Sequence, residues 1–223
     1  NKIWNASRYV LMTVGSEPLP AAGHARGGLA ERWIRHRLGQ ALTAVRDGFD
    51  AYRFDLSAQA IYEFIWDEFC DWYIELAKVT LNDAAASETD KLLVRRSLLE
   101  VLEAALRALH PLMPFITEEL WLKIAPLIGK TGETIMTQTY PRAAEYPLDP
   151  KAAAELDWLK TVVLGVRRIR AESNLEPARR IPLQVKGGSA DEQQWLDECA
   201  PYIQQLARVE RIERVPHARS DAT

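Results

Sequence analysis

Apolar side chains recur at helical spacing through the first two thirds of the chain, which restricts that part to packed helices. From Asn1 to Val14, a step of about 100° per residue gathers Ile3, Trp4, Val10, Leu11 and Val14 on one arc. Lys2, Asn5, Arg8, Tyr9 and Met12 fall on the opposite arc. Gly15 to Gly28 holds two prolines and four glycines and reads as a mobile surface loop before a helix over 29–48, buried through Ile34, Leu38, Ala41 and Val45. A third helix over 55–79 carries two adjacent ridges, Ile61, Ile65, Phe69, Trp72, Leu76 and Tyr62, Trp66, Phe69, Tyr73, as expected of a central helix packed on several neighbours. Trp66 and Phe69 are therefore expected in the core.

A fourth helix over 89–110 keeps Leu98, Leu102, Ala105 and Leu109 in register until Pro111, which disfavours helical geometry in the residue before it. Pro114 suits the first turn of a fifth helix. A turn-rich stretch over 129–150, with a short extended piece at 134–140, leads to a helix over 152–172. Then come a strand at 181–186, a helix over 191–207 and a strand at 209–215. The expected fold is mainly α, with a helical bundle over 1–150 followed by a linking helix and small α+β unit over 151–223.

Chemistry narrows the function next. With 223 residues, 48% hydrophobic and 26% charged, the chain can bury a sizeable core, and no apolar run reaches the roughly 20 residues that span a bilayer. A soluble, cytoplasmic protein is expected. Cys70 and Cys199 do not suggest a disulfide framework, and His24, His36, His110 and His217 lack the spacing of a metal site. There is no phosphate-cradling glycine loop and no nucleophile elbow, and acidic pairs such as Glu118-Glu119 read as a solvated helix face. A binding module fits these residues better than a complete enzyme.

A net charge of −3 excludes a uniformly basic nucleic-acid binder, but residues 151–186 hold eight Lys/Arg against four Asp/Glu. On the first helix, Lys2, Arg8, Asn5 and Tyr9 combine cations, an amide and a ring, a set that suits unpaired RNA bases and their phosphates. Taken alone, the residues favour an ordinary amphipathic helix. Arg167, Arg168, Arg170, Arg179 and Arg180 form a second cluster that fits an RNA backbone and a solvated helix end equally well.

Four segments together resemble the valyl-tRNA synthetase family: Asn1-Lys2-Ile3-Trp4-Asn5-Ala6-Ser7-Arg8-Tyr9-Val10, then Tyr62-Glu63-Phe64-Ile65-Trp66-Asp67-Glu68-Phe69-Cys70-Asp71-Trp72-Tyr73, then Leu109-His110-Pro111-Leu112-Met113-Pro114-Phe115-Ile116-Thr117-Glu118-Glu119-Leu120-Trp121, and Arg170-Ala171-Glu172-Ser173-Asn174-Leu175-Glu176-Pro177. The third is shared with isoleucyl and leucyl relatives; the other three resemble the valyl branch.

The resemblance implies an anticodon-binding helical bundle docking on the anticodon stem-loop of valine tRNA. It implies that Lys2, Arg8 and Tyr9 face the anticodon, with Ile74 as an apolar contact; Asn5, on the same arc, joins the anticodon-binding set, and Arg167, Arg168 and Arg170 of the second cluster remain candidates for the RNA backbone. Tyr9 stands where the family usually has Phe, a change that keeps a stacking ring. The ATP-binding signatures His-Ile-Gly-His and Lys-Met-Ser-Lys-Ser are absent from this chain. The resemblance thus implies a catalytically inactive piece without cofactors, from a monomeric parent that joins valine to its tRNA using ATP and magnesium elsewhere. Two other readings remain: a helical protein-interaction scaffold without RNA binding, and the equivalent region of an isoleucine–tRNA ligase.

Overall fold

The computed structural model describes residues 1–20 and 27–215, so part of the expected loop, with His24, and the tail containing His217 lie outside the described residues. Two compact units divide the chain, Asn1–Ala152 and Ala153–Thr223.

The first unit is helical: α1 Lys2–Val14, α2 Leu29–Asp50, α3 Phe54–Glu63, a π-helical segment Phe64–Tyr73, α4 Ile74–Asn82, α5 Glu88–Leu109 and α6 Pro114–Ile124. α5 is its axis, with Leu98, Leu99, Val101, Leu102, Ala104, Ala105, Leu106 and Ala108 all buried. Its start is set by Ser87, whose hydroxyl accepts from the Asp90 amide at 3.1 Å. As expected, Pro114 opens α6. α2 keeps Ile34, Leu38 and Val45 in the core, whereas Ala41 is only half-buried.

The helix expected over 55–79 is not a uniform α-helix. Its middle is π-helical, where hydrogen bonds skip five residues, so Phe64, Phe69 and Ile74 line up and are all buried. This changed period corrects the second ridge: Phe69 lies in the core, but Trp66 is half-buried and Tyr62 is 51% exposed.

The extended piece expected at 134–140 is instead a 3-10 turn, Ile135–Thr137, because Thr134 caps it through the Met136 amide. Glu118 fastens that turn, accepting from Thr134 Oγ1 at 2.7 Å and from the Ile135 amide at 3.3 Å, and so does not belong to a solvated face. Further on, the Tyr146 carbonyl lies where a Cβ on Gly39 would approach to 2.6 Å, so only glycine lets this segment lie against α2.

In the second unit, α7 Pro150–Glu172, which begins just before the boundary, precedes β1 Ile181–Val185, α8 Ala190–Glu198, α9 Ala200–Leu206 and β2 Val209–Arg214. β1 and β2 pair in parallel, so the connection between them must cross over, and the two helices supply it. The single helix expected over 191–207 is divided at Cys199, because Pro201 sits in the first turn of α9 and lacks an amide to continue the hydrogen bonds of α8.

Candidate nucleic-acid interface

α1 is seated by Ile3, Ala6, Ser7 and Val10. Two of these are small, which brings its backbone close to its neighbours α5, α6 and the π-helical segment. This seat corrects the sequence-based arc: Trp4 is 42% exposed, and Leu11 and Val14 are half-buried. Counting only large apolar residues ignored Ala6 and Ser7 and rotated the inferred core face toward Trp4.

One flank of α1 meets the π-helical segment and α4. Lys2 Nζ lies 2.6 Å from Asp71 Oδ1 and 5.5 Å from the ring centre of Trp66. Trp66 in turn stacks on Tyr62, with centroids 4.6 Å apart and planes 16° from parallel. Lys78 Nζ sits 5.0 Å from the ring centre of Tyr9 and 2.5 Å from Glu75 Oε1. The other flank meets α6, where Lys123 Nζ lies 5.5 Å from the ring centre of Trp4 and 2.5 Å from Glu119 Oε1. Each of these three cation–π contacts involves a residue of α1, and each ammonium also holds a carboxylate. Such exposed contacts contribute about 0.5–1 kcal/mol each, enough to orient a lysine without burying it.

Asn5, Arg8 and Met12 form the outermost arc. Arg8 makes no ion pair among the described residues. The structure thus brings Lys2, Asn5, Arg8 and Tyr9 onto one continuous surface and adds Trp4, Trp66, Tyr62 and Lys78 to it. Ile74, by contrast, is 6% exposed and belongs to the core beneath that surface, because the π-helical spacing aligns it with Phe69.

The arginines of α7 are engaged locally. Arg167 donates through Nε and Nη2 to the Leu206 carbonyl at 3.1 and 2.9 Å, and Arg168 pairs with Glu172 at 2.8 Å. Arg170 corrects the sequence reading: it is 8% exposed and donates to the carbonyls of Glu176 at 3.0 Å and Pro177 at 3.4 Å. It ties the end of α7 to the loop leading to β1, where the Glu176 carbonyl also accepts from the Arg179 amide at 3.0 Å, and it presents little surface to RNA.

Burial pushes the Cys70 thiol up to about 11, and burial together with the Glu155 carboxylate pushes Cys199 up to about 12, so neither is an activated nucleophile. Among the described residues no group of three or more His, Cys, Asp or Glu could hold a metal ion, and no helix is long and apolar enough to cross a membrane.

Comparison with known proteins bears on this surface. The anticodon-binding domain of tRNA ligase matches residues 31–186. A valine–tRNA ligase of Acinetobacter baylyi is 47% identical over 213 residues, covering 95% of this chain and 22% of the relative. Those of Dechloromonas aromatica and Coxiella burnetii are 44% and 41% identical, covering 100% and 97% of this chain and 24% of each relative. The chain thus spans about a quarter of the length of these curated relatives. With most of its length matched, from α2 through β1, the chain belongs to the family of anticodon-binding domains of tRNA ligases.

Proposed function

We propose that this chain reads the anticodon stem-loop of valine tRNA as the anticodon-binding part of a valine–tRNA ligase, and that the Asn1–Ala152 unit carries the reading surface. The observation that carries this reading is the convergence of Lys2, Asn5, Arg8 and Tyr9 with Trp4, Trp66 and Lys78 around one helix, within a chain of the anticodon-binding family. Exposed rings offer stacking faces to unpaired bases, side-chain amides offer hydrogen bonds to their edges, and cations attract their phosphates.

Arg8, which has no acidic partner among the described residues, supplies the phosphate contact. Lys2 keeps two N–H donors beyond the one directed at Asp71 and turns them toward the loop. Tyr9 offers a ring, and Asn5 an amide. Ile74 supports the surface from below. Arg167 and Arg168 serve the RNA backbone, and Arg170 holds the loop that follows α7.

Valine codons share guanine and uracil in their first two places, so valine anticodons share a middle adenine and a third cytosine, which are the bases worth reading. The complete ligase is a cytoplasmic monomer that attaches valine to its tRNA with ATP and magnesium bound outside this chain. The chain alone catalyses no ATP–pyrophosphate exchange.

The test is binding to a valine anticodon stem-loop and to the same stem-loop with the middle adenine replaced. Weaker binding to the second is expected. Equal binding to both, or to neither, would return the chain to the reading of a protein-interaction scaffold.

A further inference from the structure

Three lysines lie over rings on or beside α1, and each also holds a carboxylate: Lys2 with Asp71, Lys78 with Glu75, Lys123 with Glu119. The first two pairs lie on the flank where Lys2 and Tyr9 stand. A lysine over a ring and free of acid would neutralise any nearby phosphate, whatever the base sequence, because backbone attraction carries no sequence information. A lysine held on a carboxylate is different. Its charge is already compensated, and its direction is fixed by two contacts, so its remaining N–H groups favour a hydrogen-bond acceptor at a set position.

We infer that Asp71 and Glu75 are positioning residues that set the selectivity of this surface: they hold Lys2 over Trp66 and Lys78 over Tyr9 and weaken binding through the RNA backbone alone. The inference rests on the proposed anticodon reading and names two acidic residues that act through their lysines and touch no RNA themselves. It accounts for a surface rich in rings and lysines on a chain whose net charge is −3. Both carboxylates are exposed enough to be altered without opening the core, their side chains being 54% and 42% accessible.

The experiment compares the wild-type chain with Asp71→Asn, Glu75→Gln, the double variant and Asp71→Glu. Each is titrated against the valine stem-loop and the adenine-replaced stem-loop across a salt series. Thermal melting is followed alongside. Released lysines become phosphate contacts, so the salt slope is expected to steepen by about 0.7 for each. Affinity for the replaced loop is expected to rise roughly two- to fivefold per pair broken, the range of an exposed ion pair. Affinity for the valine loop rises less, so discrimination narrows, and Asp71→Glu restores it.

Variants with wild-type slopes and wild-type discrimination overturn the inference while leaving the anticodon reading intact. So does a uniform loss of affinity with lowered melting, which marks a structural role. A wild-type chain that ignores both stem-loops overturns the anticodon reading and this inference with it.

Discussion

Trp121 Nε1 donates to Glu103 Oε1 at 2.9 Å, inside a site where Arg107 grips the same carboxylate at 2.8 and 3.0 Å and Lys130 reaches Oε2 at 2.6 Å. Glu103 is 1% exposed. One buried carboxylate thus joins α5 to α6 and to the segment after it. Burial alone would raise the pKa of Glu103, but hydrogen bonds from Arg107 and Lys130 outweigh it and hold the group below its ordinary value of 4.5.

Removing that carboxylate leaves the Arg107 guanidinium, whose side chain is 9% exposed, without its partner. Glu103→Ala is expected to cost about 3–5 kcal/mol in denaturant unfolding, the usual range when one half of a buried ion pair is deleted. Because the folded pKa is depressed, the stabilisation is fully present above about 4.5 and is lost as pH falls through the folded value. The acid limb of the stability profile should flatten in Glu103→Gln. An unchanged acid limb would show that the pairing is not a source of stability.

Glu31 has the opposite sign. It is buried near the start of α2, accepts from the Gly28 amide at 3.0 Å and from Tyr73 Oη at 3.4 Å, and burial raises its pKa above 4.5. Its raised value favours the folded state at pH below about 4.5, and that contribution is lost as pH climbs through the folded value. Relative to the wild type, Glu31→Gln should therefore gain stability as pH rises from about 4 to 7. Melting curves across that range check it, and parallel profiles would contradict it.

Phe69 and Trp66 should separate in stability. Phe69→Ala is expected to cost about 3–5 kcal/mol, since its ring is fully enclosed. Trp66 is half-buried and rests between Tyr62 and Lys2, so its truncation should cost less than that of Phe69 in the same unfolding assay. Equal losses would mean that Trp66 packs as a core residue.

On α1, charge and stacking should separate in a salt series with the valine stem-loop. Arg8→Ala is expected to flatten the salt slope by about 0.7, the contribution of one single-strand phosphate. Lys2→Ala should flatten it less, because Asp71 already compensates that charge. Tyr9→Ala is expected to cost about 1–3 kcal/mol of binding with the slope unchanged, as loss of a stacking platform does. Identical slopes and affinities in all three would remove α1 from the surface.

Much of the bundle was legible because α5 is a regular helix: Leu98, Leu102, Ala105 and Leu109 are spaced as a core stripe should be, and all four are buried. The two strands at the end were legible from the spaced apolar residues of 181–186 and 209–215, whereas their parallel pairing was not, since it is fixed by the crossover through α8 and α9. The π-helical segment was not, because its wider turns carry the buried positions away from the α-helical spacing, and this put Trp66 and Tyr62 on the wrong face. Trp4 was misplaced for another reason, since Ala6 and Ser7 seat α1 without looking apolar. At the interface, Lys2, Arg8 and Tyr9 could be singled out locally. Asp71, Lys78 and Lys123 could not, because their link to α1 is made only across helices.

The π-helical run also acts as a phase converter for everything after it. A π turn takes in about one residue more than an α turn, so rewinding Phe64–Tyr73 as α without removing a residue would swing α4 round its own axis. Glu75 and Lys78 would leave the flank of Tyr9 although nothing within reach of Tyr9 had been altered. The spacing inside one stretch of backbone thus serves as the alignment gauge for a surface built several turns away.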